Sequence, residues 1–174
     1  MTQRSSISSS KHKAEAATRG PVSVALLTVS DSRTRETDVN AQYLDKALRE
    51  RGHKVTGYAI IRDDPNQILE ALTELVSGPS QVVLINGGTG ISQRDNTFDV
   101  LNRNLEKTLP GFGELFRLLS YEQIGSAAML SRATAGLFGG CVVLSMPGSP
   151  NAVKLAWKKL ILPELEHLAY EMLK

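Results

Sequence analysis

Apolar residues fall into two kinds of run along this chain: short continuous stretches rich in β-branched side chains, and sets spaced three and four apart. The first kind reads as buried strand, the second as one face of a helix. Residues 22–29 make a first strand, followed by a polar loop over 30–37. Asp38 is placed to cap a helix with Val39, Tyr43, Leu44, Ala47 and Leu48 on one face, and Gly52 ends that helix. Residues 54–61 form a second strand, and Arg62-Asp63-Asp64 a short loop. Asp64 then caps a helix with Pro65 at its first position and a stripe of Ile68, Leu69, Leu72, Leu75 and Val76. Gly78-Pro79 breaks it, and residues 82–85 are a third, short strand. A loop over 86–96 leads to helical patterns over 97–105 and 111–122. Residues 134–138 and 141–146 read as strands joined at Gly139-Gly140, a hairpin signal. After a tight loop at 147–150, helices fill 151–162 and 164–173, with Pro163 separating or kinking them.

This order predicts an α/β fold: a three-layer sandwich with a mostly parallel sheet flanked by helices and one β-hairpin. The length of 174 residues suits one domain and needs no disulfide or structural zinc to fold. Residues 1–20 lack apolar periodicity and read as a disordered tail, with the single domain over 21–174. The tail holds Arg4, Lys11, Lys13 and Arg19 against Glu15, so the net charge of +2 comes from it and the body is slightly acidic. Aromatic content of 5% leaves little for base stacking, so a nucleic-acid partner is not expected. Cys141 lies in an apolar run and reads as a small buried hydrophobe. No run approaches the length of a membrane span, and the N-terminus has no apolar signal segment. No membrane partner is expected, and the cytoplasm is the simplest compartment.

In open α/β sheets, ligands bind beyond the carboxyl ends of the strands, so those ends hold the candidate chemistry. They carry Ser30 and Asp31 after the first strand, Asp63 after the second, Gly87-Gly88-Thr89-Gly90 and Asp95 after the third, and Gly148-Ser149 after the last. Three glycines in four positions let backbone N–H groups turn toward an anion, a nest that suits phosphate. A Gly-rich turn of this kind also serves as plain structure. The spacing matches neither the dinucleotide fingerprint nor a Walker A loop. A carboxylate such as Asp95 beside a phosphate nest calls for a cation between them, and Mg²⁺ takes one or two carboxylates plus phosphate oxygens. Alternatively, Asp95 caps the helix near Thr97. Asp64 has the better cap spacing, which leaves Asp63 freer for a ligand. Ser149 caps the helix after it, where free N–H groups make a second anion site. His12, His53 and His167 are scattered and show no zinc spacing. Trp157 and Met172 fall on apolar helix stripes and read as core.

Several ordered blocks resemble one family. Gly87-Gly88-Thr89-Gly90 with Arg94-Asp95 and Thr97 is similar to the G-G-T-G…R-D-x-T signature of the MoaB/Mog family of molybdenum-cofactor biosynthesis proteins. Thr28-Val29-Ser30-Asp31-Ser32, Pro110-Gly111-Phe112-Gly113-Glu114, Ser131-Arg132-Ala133-Thr134-Ala135-Gly136 and Met146-Pro147-Gly148-Ser149-Pro150 match further blocks. The likeness spans 22–172, and the stretch 116–125 is closer to the MoaB branch. The resemblance implies an α/β sandwich assembled as trimers or hexamers, with molybdopterin as ligand. In active members it implies adenylylation of molybdopterin with ATP as co-substrate and Mg²⁺ as cofactor. The functional, metal-binding aspartates would be Asp63 and Asp95. Nucleotide and substrate would meet Ser30, Asp31, Gly87, Gly88, Thr89, Gly90, Gly148 and Ser149. A non-catalytic pterin-binding or scaffold protein of the same pathway is the alternative. The chain departs from the pattern where Asp38-Val39-Asn40-Ala41 stands for D-x-S-G, Asn86 for Thr before the glycines, and Phe98 for Pro.

Overall fold

The structure, a computed structural model, describes residues 20–171. The segment read as a basic tail lies outside the described residues apart from Gly20, and so does Met172. In chain order the elements are β1 (Ser23–Val29), α1 (Val39–Glu50), β2 (Lys54–Ile61), α2 (Pro65–Ser77), β3 (Val82–Asn86), α3 (Thr97–Asn104), β4 (Lys107–Thr108) and α4 (Pro110–Ile124). A 3₁₀ turn (Gly125–Leu130), β5 (Thr134–Phe138), β6 (Cys141–Met146), α5 (Pro150–Ala156), a π turn (Trp157–Ile161) and α6 (Leu162–Glu171) complete it.

Among the described residues the strands form one six-stranded sheet in the order β2-β1-β3-β6-β5-β4. The first four are parallel, and β5 runs antiparallel to both its neighbours. Strand alternation divides the core in two. Val24, Leu26, Val82, Leu84, Val142 and Leu144 face α1, α4 and the C-terminal helical rod, meeting Leu44, Leu48, Phe116, Val153, Trp157 and Leu165. Ala25, Leu27, Val83, Ile85 and Val143 face α2 and α3, meeting Ile68, Leu72, Val100 and Leu101. Burying each large aliphatic side chain contributes about 1.5–3 kcal/mol, so both helical layers are held by the same central strands. This is the three-layer sandwich expected from the sequence, with Trp157 in the core and Cys141 buried.

The chain steps outward from β1 to β2, then returns over β1 to β3, so α1 and α2 cover opposite faces. The connections therefore diverge at the carboxyl ends of β1 and β3, which opens a crevice there. Asp38 caps α1, accepting from the N–H groups of Asn40 (3.2 Å) and Ala41 (3.1 Å). It is itself buried and held by the Tyr58 hydroxyl at 2.9 Å and Arg33 at 3.6 Å. Burial, then the bond to Asp38, pushes the Tyr58 hydroxyl well above the usual phenol range.

Three local features differ from the sequence expectation. Lys107 and Thr108 add a sixth strand on Gly136 and Leu137; two polar residues are too few to show a period of two. Residues 125–130 turn as a 3₁₀ helix after Gly125, which has φ of 61°. Pro163 does not break the last helix, because the π turn before it widens the backbone. There the Leu162 N–H donates to the Trp157 carbonyl, five residues back. The wider turn makes room for a ring that would otherwise strike the carbonyl four residues before it. Among the described residues no helix is long and apolar enough to cross a membrane.

His53 gives the fold a pH signature. Its ring is 7% exposed, and Nδ1 accepts the Val22 N–H at 3.3 Å, a bond that needs the neutral ring. Burial pushes its pKa below the ordinary value, with Arg51 adding to the shift and Glu166 opposing it. The unfolded chain thus binds this proton more readily than the folded one, so stability is full above about pH 6.5 and falls below it. The melting temperature should drop by a few degrees between pH 7.5 and 5.5. His53→Asn, which retains an acceptor, should shrink that drop; an identical drop in the variant would show that another group drives it.

Candidate functional site

The site grows from the end of β3. The backbone turns there at Gly87 (φ 102°) and Gly88 (φ 63°). A Cβ on Gly87 would collide with the Val29 carbonyl, and one on Gly88 would collide with the Thr97 hydroxyl. The Gly87 N–H donates to Met146 O at 3.1 Å, tying the end of β3 to the end of β6. The N–H groups of Gly88, Thr89 and Gly90 donate to no acceptor among the described residues. That leaves three donors for an anion, as a phosphate nest requires.

Carboxylates lie against this nest. Asp63 Oδ1 accepts the Asn96 N–H at 2.9 Å, and Oδ2 lies 2.7 Å from where a Gly88 Cβ would be. The Asp63 N–H donates to Asp31 Oδ1 at 3.3 Å. Burial pushes the Asp63 pKa up; the bonds from Asn96 oppose this, and the charges of Asp95 and Asp31 add to it. Asp95 accepts the Ser92 N–H at 2.9 Å, and its carboxylate lies 2.7 Å from where a Gly90 Cβ would be. It therefore closes a turn rather than capping α3: Asn96 holds the cap position, and its side chain donates to the Asp63 and Arg94 carbonyls instead of capping the helix. Asp64 caps α2 through the N–H groups of Asn66 and Gln67, both at 3.0 Å, which leaves Asp63 free of that duty.

Thr97 Oγ1 is buried beside Asp63 and Gly88 with no partner among the described residues. A buried unpaired hydroxyl is costly, and here it faces the space that Gly88 leaves open. Hard oxygen donors around a phosphate cradle fit Mg²⁺. Among the described residues no three His, Cys, Asp or Glu side chains converge to hold a metal alone. Phosphate oxygens and water would have to complete its shell.

A pocket of about 280 Å³ opens on the inner side of the nest. Gly88, Thr89, Gly90 and Asp95 form one wall and Gly148 and Ser149 another. Gly87 lies behind, 3.2 Å from where a Gly148 Cβ would stand. Asp31 and Asp63 lie outside this lining. Ser30 is also outside it and serves a turn, its hydroxyl accepting the Arg33 N–H at 3.2 Å. Ser149 accepts the Ala152 N–H at 3.2 Å as the cap of α5.

Other residues of the site belong to no recognisable catalytic motif. Phe116 and Ser120 of α4 line the pocket. A serine on the buried side of an apolar helix was the signal for Ser120. Arg132 holds the loop from outside: its guanidinium donates to Asp95 O and Asp99 Oδ2, each at 2.9 Å, and lies 4.9 Å over the Phe98 ring. Beneath the pocket runs a buried chain of amides. Asn86 Nδ2 donates to Thr28 Oγ1, and Asn40 Nδ2 donates to both Asn86 Oδ1 and Gly148 O, all at 2.8 Å. Arg33 Nη2 donates to the same Gly148 carbonyl at 2.8 Å.

Residues 25–167 match a family model described as "Probable molybdopterin binding domain". Molybdenum cofactor biosynthesis protein B of Bacillus cereus is 50% identical over 168 residues, covering 95% of this chain and 98% of that protein. A crystal structure of a molybdenum cofactor biosynthesis protein B superposes with a TM-score of 0.84 at 51% identity, over 87% of this chain and 96% of that one. The tungsten cofactor synthesizing protein MoaB from Pyrococcus furiosus superposes with a TM-score of 0.80 at 34% identity, over 88% and 98%.

Asp63→Asn separates a structural role for this carboxylate from a functional one. The amide oxygen can still accept the Asn96 N–H, while a part-buried charge facing Asp95 and Asp31 disappears. Because the folded state raises this pKa, the ionised form weakens the fold, and that penalty fades as pH falls through the raised value. At pH 7 the variant should melt at the same temperature or a few degrees higher, with the difference closing in acid. A melt several degrees lower would make Asp63 a structural residue.

Proposed function

The chain belongs to the MoaB/Mog family of molybdenum-cofactor biosynthesis proteins, and on that premise we propose that it binds molybdopterin in the pocket beside residues 87–90 and adenylylates it with Mg-ATP. The observation that carries this reading is the joining of three free N–H donors to the Asp95 carboxylate and the unpaired Thr97 hydroxyl at one turn. In the reaction, an oxygen of the molybdopterin terminal phosphate forms a bond to the α-phosphorus of ATP. The bond from that phosphorus to the bridging oxygen breaks, and pyrophosphate leaves. Phosphoryl-type transfer asks for positioning and charge stabilisation more than for covalent help. Gly88, Thr89 and Gly90 bind nucleotide phosphate through their N–H groups, with Gly87 setting the turn. Gly148 and Ser149 bind an anion on the pterin side, and Phe116 offers an apolar wall. Asp63 and Asp95 would hold Mg²⁺, which would neutralise phosphate charge. Ser30 and Asp31 support this edge of the site through the Arg33 and Asp63 N–H groups. The same reading puts the protein in the cytoplasm.

A second reading, pterin binding without transfer, draws on one observation: Asp63 does not line the pocket. Release of pyrophosphate from Mg-ATP and molybdopterin by the wild-type protein decides for transfer. Binding of both ligands with no pyrophosphate decides for the second reading.

Asp95→Asn tests the metal assignment. The amide can still accept the Ser92 N–H, so the melt should change little. Mg²⁺-dependent ATP affinity should fall by roughly tenfold or more, as expected for losing a charged ligand beside phosphates. Calorimetry with and without Mg²⁺ checks it, and equal affinities would remove Asp95 from the metal site.

The family premise also includes assembly as a trimer or hexamer. Leu115, Leu118, Tyr121 and Ile124 of α4 are 50–62% exposed, and Met129 beside them is 77% exposed. Contiguous apolar surface of this kind marks an interface, and a second copy of the chain is the occupant expected here. Native mass measurement should find a trimer or hexamer, and Leu118→Glu should shift it toward monomer. A wild-type monomer at micromolar concentration would overturn the assembly.

A further inference from the structure

Two buried amides, Asn40 and Asn86, touch each other. Both side chains are 1% exposed, although they are 46 residues apart in sequence. Their bonds run in one direction. Thr28 takes the Asn86 amide hydrogen, which turns the Asn86 oxygen toward Asn40. Asn40 then has both amide hydrogens engaged, one on Asn86 and one on Gly148 O. A serine at 40 has a single hydrogen to give and is too short to span both acceptors. A threonine at 86 offers no amide oxygen. The two side chains therefore work as a unit.

Their effect reaches the pocket through one peptide plane. In a trans peptide the carbonyl and the following N–H point in opposite directions. Asn40 and Arg33 hold Gly148 O from beneath, so the Ser149 N–H is turned away from them. That N–H donates to no acceptor among the described residues, and Gly148 and Ser149 form a pocket wall. We propose that Asn40, backed by Asn86, is a positioning residue that fixes the Gly148–Ser149 peptide so that its N–H serves as a phosphate donor opposite the nest. The ligand class is a phosphate monoester or diphosphate. The inference rests on the phosphate-binding reading of this pocket, and adds a residue buried beneath it that meets no ligand itself.

Inorganic pyrophosphate is the probe, titrated into the full-length ¹⁵N-labelled protein and followed by amide resonances. In the wild type, the Gly88, Gly90 and Ser149 amides should all shift downfield on saturation. In Asn40→Ala the Ser149 response should vanish while Gly88 and Gly90 still respond. Affinity should fall about tenfold, the scale of one lost charge-assisted hydrogen bond. Arg33→Gln, at a residue only part-buried, should leave the fold intact and give a smaller loss of about threefold, by the same arithmetic. It keeps the test open if Asn40→Ala is too unstable to study. A folded variant with an unchanged Ser149 response overturns the inference. A wild type in which the nest amides respond and Ser149 does not overturns it alone. A wild type in which none responds overturns the phosphate-binding reading as well.

Discussion

Gly87 lies so close to the Val29 carbonyl that no side chain fits between them. That one contact sets the shape of the rest of the site. It brings the end of β3 against the end of β1 at the point where the chain's connections diverge. The Gly87 N–H meanwhile holds the end of β6 through Met146 O. Three strand ends are thereby drawn together, and the backbone leaves β3 with positive φ at two successive residues. Only then do the next N–H groups come free of the sheet ladder. Any Cβ at 87 would push β1 and β3 apart, and with them the two faces of a core built on those strands.

The charges around this turn are arranged against the stability of the fold. Asp31, Asp63 and Asp95 share one edge, and Asp63 takes up a proton more readily than an ordinary carboxylate because burial and its neighbours disfavour its charge. The Thr97 hydroxyl is buried without a partner in the same place. Arg132 offsets part of this cost from outside, binding the Asp95 carbonyl and the Asp99 carboxylate while lying over Phe98. Phe98 restrains the guanidinium that holds the loop.

Legibility followed the range of the interaction. The central strands were readable because burial on both faces leaves continuous apolar runs, and the nest because glycine density has few other causes. Cap spacing alone distinguished Asp64 from Asp63, since an Asx cap acts within three residues. The π turn that accommodates Pro163 was hidden, because a widened turn leaves the apolar stripe almost in phase. Ser120 and Phe116 became pocket residues only once α4 packed against β5 and α5. The basic segment at the N-terminus lies outside the described residues.

Asn40 and Asn86 show most clearly what the linear order of residues conceals. Taken singly, each is an amide at the edge of an element, Asn40 in the first turn of α1 and Asn86 at the end of β3. In the fold the two side chains satisfy one another, and Asn40 holds the Gly148 carbonyl as well. A buried amide without its partner would be costly, so losing either side chain would strand the other. The Gly148–Ser149 peptide is thus held through its carbonyl by Asn40 and Arg33, neither of which lines the pocket, and its N–H points the other way.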